Sequence, residues 1–355
     1  MYEEQTGCVK LAGKKSDSFR ISNGKRQGSV LSPALFSVYL DDLLKDLRNQ
    51  GLGCDIGGWW IGACGFADDL ILLDPVRSVL QKMVRICEQY GVEHNLVFST
   101  DPNPVKSKTK CLFFCGRLNN VQYPAPVQLD GKDLPWVQSA EHLGHTLHQM
   151  ANMEQDTKIK RARFIRKTVE IREQLDFAHP DQVMKAVQVF CSDAYGSMLW
   201  QLNSEVAEQF FRSWNTCVKL VHDIPRSTFT YLVEGYFAKS FPTLRNQVLS
   251  RYPSFFQKLL TSPSKEIRLL ANIVSRDPHS VTAKNIKYIA ELTKFSPWDF
   301  SSLKIKEALP VKIIPESETW RLGLLGTLYG MRWTQDICVE DSRKISAMLH
   351  SLCNT

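Results

Sequence analysis

The sequence is short of features that would assign it at once. None of its ten cysteines stands in a C-x-x-C pair, and Cys338, His350 and Cys353 lack zinc-knuckle spacing. A disulfide framework or a zinc module is therefore not expected, and the cysteines read as reduced, mostly buried thiols. No run of about 18 apolar residues occurs, so no membrane span is expected. The first twenty residues hold no apolar run either, which argues against a signal peptide and for a cytoplasmic or nuclear location. Internal repeats and low-complexity segments are missing. Charge is only mildly unbalanced: a net +7 permits a polyanionic partner without demanding one. What remains is a chain of 355 residues, 43% hydrophobic and 23% charged, long enough for a sizeable core and for more than one unit.

The segment CVKLAGKKSDSFRIS alternates around a Gly-Lys-Lys turn and reads as a β-hairpin. Apolar residues at Leu35, Phe36, Tyr39, Leu40, Leu43, Leu44 and Leu47 then recur at helical spacing, with Ser32 as the expected N-cap and Pro33 at the first helical position. A second helix is expected over PVRSVLQKMVRICEQYG, ending at Gly91. Between 95 and 150 the pattern is strand-like, as in NLVFS, KCLFFCG, PVQLDGKDLPWV (turn at Asp130-Gly131) and HLGHTL. Beyond Asn152 it becomes helical, with prolines as punctuation. The fold class is α+β, with a boundary near residue 150.

Phe66-Ala67-Asp68-Asp69 lies between two apolar strand-like runs. Two adjacent acids there are no core filler, because a buried carboxylate must be paired or bind a cation. Magnesium suits such a pair, since it takes a few carboxylate oxygens together with substrate phosphates. Two such ions, about 3.5–4 Å apart, can activate a hydroxyl and stabilise a leaving pyrophosphate. The plain alternative is a solvated turn. Successive strand residues face opposite sides, so one hairpin presents mainly Asp68 and a further carboxylate must come from a neighbouring strand.

Ahead of the first helix, GKRQGSVLSPALF gathers Arg26, Gln27, Gly28 and Ser29. Gly28 lets the backbone approach a ligand closely, Gln27 and Ser29 can hydrogen-bond a base or sugar, and Arg26 can pair with phosphate. The helix N-terminus adds partial positive charge. Alone, the stretch reads equally well as a capped loop.

Taken together, RQGSVLSPALF, then about thirty residues, then FADD in an apolar hairpin, then KSK and HLG, resemble the ordered motifs of reverse transcriptases. The wording RQGSVLSP resembles the LINE or non-LTR retrotransposon branch, of jockey-like type. Downstream, DAYGSMLW and WNTCVKLVHDIPRSTFTYL resemble the stretch that follows the polymerase domain in these elements, so the likeness covers residues 5 to 235. It implies a partial polymerase palm over 1–150, built of an antiparallel sheet with two helices, a helical thumb over 151–262, and a helical region of unassigned role over 263–355.

Carried over residue by residue, the resemblance makes Asp68 and Asp69 metal-binding carboxylates for two Mg2+ ions, with Phe66 where tyrosine is usual. Arg26, Gln27, Gly28 and Ser29 would hold template and incoming nucleotide, although Lys25 stands where a small apolar residue is usual. Lys106 would assist pyrophosphate departure, with Lys108 as the second candidate, and Leu143-Gly144 would grip the primer. The partners implied are an RNA template, a DNA primer and deoxynucleoside triphosphates. The family's other metal-binding aspartate lies well before the glycine loop, and only 25 residues precede Arg26 here. Little or no polymerisation by this chain alone is therefore expected.

In the thumb-like segment, Lys158, Lys160, Arg161, Arg163, Arg166, Lys167 and Arg172 cluster with few acids between them. Alone this reads as a solvated helix face; the resemblance makes it a grip on nucleic-acid phosphates. Phe164, Ile165 and Val169 would face inward. Tyr195, Trp200, Phe210, Phe211 and Trp214 are expected in the core, with base stacking the alternative. His142, His145 and His148 are not expected to share a metal, since strand alternation would not converge them. The competing functions are a polymerase segment, a non-catalytic nucleic-acid binder derived from a retroelement, and a decayed fragment.

Overall fold

The computed structural model describes residues 5–21, 30–101, 103, 106–114, 122–191, 194–238 and 240–294. The chain divides into two units, 1–113 with 119–137 and 114–118 with 138–355.

The first unit opens with β1 (Gln5–Gly7), β2 (Lys10–Leu11), β3 (Lys14–Lys15) and β4 (Phe19–Ile21). β1 pairs with β4 and β2 with β3, both antiparallel, around a turn at Ala12 and Gly13, so Lys14 and Lys15 pair as a strand instead of forming the expected turn. Helix α1 (Ser32–Asn49) follows; its cap is Leu31, without a side-chain hydrogen bond, and Ser32 falls inside the helix rather than capping it. Leu40, Leu43 and Leu47, one helical face, are buried. The hairpin β5 (Asp55–Ile56) and β6 (Trp59–Trp60) leads into a second hairpin, β7 (Ala63–Phe66) and β8 (Asp69–Leu72).

Helix α2 (Arg77–Glu93) runs two residues past the Gly91 expected to end it. Leu96 returns to donate its N–H to the Gly91 carbonyl at 2.8 Å, and Asn95, at φ 53°, makes the left-handed reversal instead. A Cβ on Gly91 would lie 2.8 Å from the Leu96 carbonyl oxygen, so the glycine serves this close return. Leu40, Leu43, Leu47, Ala63, Met83, Cys87 and Tyr90 form one core cluster joining α1, the β7–β8 hairpin and α2.

β9 (Cys111–Leu112), β10 (Gln128–Leu129), β11 (Lys132–Asp133) and β12 (Trp136–Val137) complete the unit. β10 and β11 turn at Asp130 and Gly131 as expected, whereas NLVFS forms no strand and β9 pairs with β12 in parallel. The described strands make separate two-stranded ladders rather than one broad antiparallel sheet. Buried Gln81 stitches β10 to α2, accepting from the Gln128 N–H and donating to its carbonyl, both at 2.8 Å.

The second unit begins with the hairpin β13 (Ser139–His142) and β14 (His145–His148) and continues as helices. These are α3 (Glu154–Gln174), α4 (Pro180–Phe190), α5 (Glu205–Val221), α6 (Thr230–Phe237), α7 (Leu244–Leu260), α8 (Lys265–Arg276) and α9 (Val281–Thr293). Ser204, Thr243, Ser264 and Ser280 each accept an N–H of the first turn of the helix they cap. α5 is the central element, burying Phe210, Phe211, Trp214, Cys217 and Val218 against α3, α4, α6 and α7. Trp200, Phe210, Phe211 and Trp214 lie in the core, but Tyr195 is 58% exposed, contrary to expectation.

Candidate functional site

The β7–β8 register pairs Ala63 with Leu72, Cys64 with Ile71, Gly65 with Leu70 and Phe66 with Asp69, leaving Ala67 and Asp68 as a two-residue turn. Ala67 takes φ 51°, the left-handed region that tight hairpin turns use. Leu70 and Leu72 pack into the core with α1, which turns Asp69 and Ile71 to the other face. Asp68 and Asp69 are at the tip, both exposed, beside Phe66 at 64% exposure. Among the described residues neither acid forms an ion pair. Two carboxylates thus share one solvent-facing turn without a cationic partner among the described residues.

The base of this hairpin is held by backbone. Leu73 donates to the Gly62 carbonyl at 2.7 Å and accepts from Cys54 at 2.9 Å, while Ile61 donates to Cys54 at 2.8 Å. α1 lies against β7: a Cβ on Gly65 would sit 3.6 Å from Leu44 Cδ1. Arg26, Gln27, Gly28 and Ser29 lie outside the described residues. Lys106 is exposed, in a turn closed by the Lys106 and Ser107 N–H groups on the Asn103 carbonyl at 3.0 and 2.9 Å. Lys108 is exposed beside it.

In the second unit, Leu143 and Gly144 form the two-residue turn of β13–β14, with φ 48° and 70°. That double left-handed geometry follows the strand twist. The ring of Tyr195 covers Gly144, where a Cβ would lie 3.5 Å from Cε1. His142 and His145 are backbone partners across the hairpin, while the His148 Nδ1 accepts from the Met150 N–H at 3.2 Å.

Along α3, Lys158, Arg161, Arg163, Arg166 and Lys167 lie on the outer side; Lys158 pairs with Glu154 at 2.6 Å and Arg166 with Glu170 at 3.6 Å. Lys160 departs from the expectation. Its ammonium is buried and donates to both carboxylate oxygens of Asp156, at 2.9 and 2.7 Å, so it does not face solvent to meet a phosphate. Arg172 pairs with Asp223 at 2.5 Å. An open cavity of about 500 Å³ beside β14, bordered by His145, His148, Met153, Leu199 and Gln201, contains Glu154 but no lysine or arginine in its lining, so it is no phosphate site.

With this geometry in place, comparison with known proteins is direct. Residues 2–147 match the family profile described as reverse transcriptase (RNA-dependent DNA polymerase). The chain is 38% identical over 72 residues to the retrovirus-related Pol polyprotein of the type-2 retrotransposable element R2DM of Drosophila melanogaster, covering 20% of this chain and 7% of that protein. It is 37% identical over 81 residues to the R2 Pol polyprotein of Nasonia vitripennis, covering 23% of this chain and 8% of that one. A putative 115 kDa protein of the type-1 element R1DM of Drosophila melanogaster is 30% identical over 136 residues, 36% of this chain and 11% of that protein. Residues 2–147 are reverse transcriptase sequence of the non-LTR retrotransposon kind.

The matched stretches span only 7 to 11% of these curated relatives. Within residues 2–147, the acidic turn offers two carboxylates as metal donors. No group of three or more metal-ligating side chains occurs among the described residues. Asp68 and Asp69 are thus a carboxylate pair that matches part of a magnesium donor set, with no further ligand beside them among the described residues.

Sequence reasoning missed Asp156. Its carboxylate is 2% exposed and accepts from Lys160, from the Trp200 indole at 2.7 Å and from the Thr146 N–H at 2.9 Å, with His145 Nδ1 3.0 Å away. Burial opposes ionisation, but these donors outweigh it and hold the carboxyl well below the usual carboxylate range. The Asp156–Lys160 spacing of four was visible in the sequence, yet it is the ordinary spacing of exposed helix pairs.

Proposed function

We propose that the chain is part of an RNA-directed DNA polymerase that joins a deoxynucleotide to a DNA 3′-hydroxyl copied from RNA. The 3′-oxygen bonds to the α-phosphorus of the incoming triphosphate as the bond to pyrophosphate breaks. Asp68 and Asp69 would hold magnesium, which neutralises the phosphates when bound; a further carboxylate is required from another strand. Arg26, Gln27, Gly28 and Ser29 would orient template and nucleotide, Lys106 would donate a proton toward the departing pyrophosphate, and the Leu143–Gly144 turn would hold the primer. Lys158, Arg161, Arg163, Arg166 and Lys167 would follow the duplex backbone.

The observation carrying this reading is the pair of acids at a solvent-facing two-residue turn, with no cationic partner among the described residues. A second reading, a binder of RNA–DNA duplexes without catalysis, is favoured by the gathering of two carboxylates and no third metal ligand there among the described residues. Primer extension on an RNA template separates them. Incorporation lost on Asp68→Ala supports the polymerase, whereas duplex binding without incorporation, unchanged by that substitution, supports the binder.

A further inference from the structure

The β13–β14 hairpin has four residue pairs and a two-residue turn. A lone two-stranded hairpin is marginal in water, so its turn must be fixed from outside. Three contacts do this. The outward N–H of Thr146, two residues past Gly144, is fastened to buried Asp156 at 2.9 Å. His145, which follows Gly144, sets Nδ1 3.0 Å from the other Asp156 oxygen. Tyr195 lies over Gly144 itself.

The same short stretch supplies the rest of the support. Gly196, at φ 78°, passes so near that a Cβ would meet Lys160 Nζ at 3.0 Å and His145 Nδ1 at 3.1 Å. Trp200, fully buried, donates its indole N–H to Asp156 at 2.7 Å, and the Lys160 ammonium stands 5.6 Å from its ring centroid. Trp200 is also held from behind: buried Asn285 of α9 donates to its carbonyl at 2.7 Å and accepts from the Leu202 N–H at 2.8 Å. Tyr195, Gly196 and Trp200 of the AYGSMLW run thus all converge on the hairpin and the carboxylate that fastens it.

We infer that Asp156 is a positioning residue for the Leu143–Gly144 turn, acting through Thr146 and His145, with Trp200 as its support. The inference rests on the reading of that turn as a primer-holding element. A cation site is no rival explanation for Asp156, because the Lys160 ammonium already occupies the cation position. Charge matters here as well as shape: a carboxylate accepts from several donors at once, while an amide in its place would turn an N–H toward one of them.

The test uses the full chain with two labelled RNA–DNA hybrids of equal length, one with a recessed DNA 3′-end and one blunt, and the variants Asp156→Asn and Trp200→Phe. Amide exchange of 139–148 and of α5 is followed in each protein. The unaltered chain is expected to prefer the recessed end. Both variants should lose that preference by about tenfold, with blunt-hybrid affinity changed by less than about twofold. The hairpin amides should exchange faster while α5 stays protected. The inference is overturned if the preference survives, if both hybrids weaken equally, or if α5 opens as much as the hairpin. Should the unaltered chain show no end preference, the primer-holding reading fails first and the inference falls with it.

Discussion

Gly53 and Gly62 meet backbone to backbone: a Cβ on Gly53 would lie 2.4 Å from the Cα of Gly62, and one on Gly62 would lie 2.6 Å from the Cα of Gly53. This crossing seats the base of the acidic hairpin against the loop after α1. Gly53 also takes φ 101°, which side chains rarely adopt. Gly62→Ala is expected to force the two backbone segments apart and cost on the order of 1–3 kcal/mol. Urea unfolding measures the loss, and magnesium-dependent behaviour of Asp68 should fall with it. An unchanged midpoint would show that the crossing is easily relaxed.

Lys160 and Arg163 occupy one helix, and they should respond oppositely to removal. Lys160→Met strips a buried carboxylate of its cation and is expected to destabilise by about 3–5 kcal/mol. Arg163→Ala, on the exposed face, should leave stability within about 0.5 kcal/mol. Its effect is expected on duplex binding, where the slope of log affinity against log salt should shrink by about one. Equal stability losses for the two would contradict the burial assigned to Lys160.

Asn285→Ala removes both hydrogen bonds to the Trp200–Leu202 backbone and leaves those groups buried. A loss of about 1–3 kcal/mol is expected by denaturant titration. Exchange should quicken in α9 and around Trp200 together, because the two are joined only if this clamp is real.

Acid sensitivity should have two separate sources. His222 is buried against Phe237 and Phe241, and burial, helped by His179, pushes its imidazole down to about 3. Between about pH 6.5, where the unfolded imidazole titrates, and that value, the unfolded chain binds a proton that the folded chain refuses. Stability therefore falls as pH drops through this window. Asp156, whose carboxyl is depressed, adds its own loss only below about pH 4, as the unfolded carboxyl protonates. His222→Leu should flatten the profile between about pH 6 and 4 and spare the steeper fall below about 4. Thermal midpoints across this range measure both.

Much of this was legible in the sequence where the signal is local. The periodicity of Leu40, Leu43 and Leu47 gave α1, Asp130-Gly131 gave a turn, and FADD between apolar runs gave the hairpin. Gly91 misled because a glycine near a helix end reads as a stop, whereas this one accommodates the returning Leu96. Lys160 misled for a related reason: its charge resembles its neighbours', and only the fold opposes it to Asp156. Contacts across 44 residues, as between Asp156 and Trp200, or 85, as between Trp200 and Asn285, leave no periodic trace. Tyr195 was expected inside because aromatic spacing cannot tell a core position from one that covers a glycine turn.

On the proposed reading, Asp68 helps hold a divalent ion beside a bound primer–template. Titrating Mn2+ into the chain with a recessed RNA–DNA hybrid, and following the electron paramagnetic resonance of free ion, measures this directly. Ion uptake beyond that of hybrid alone is expected, lost in Asp68→Ala while hybrid affinity stays unchanged. Identical uptake by the substituted chain would contradict it.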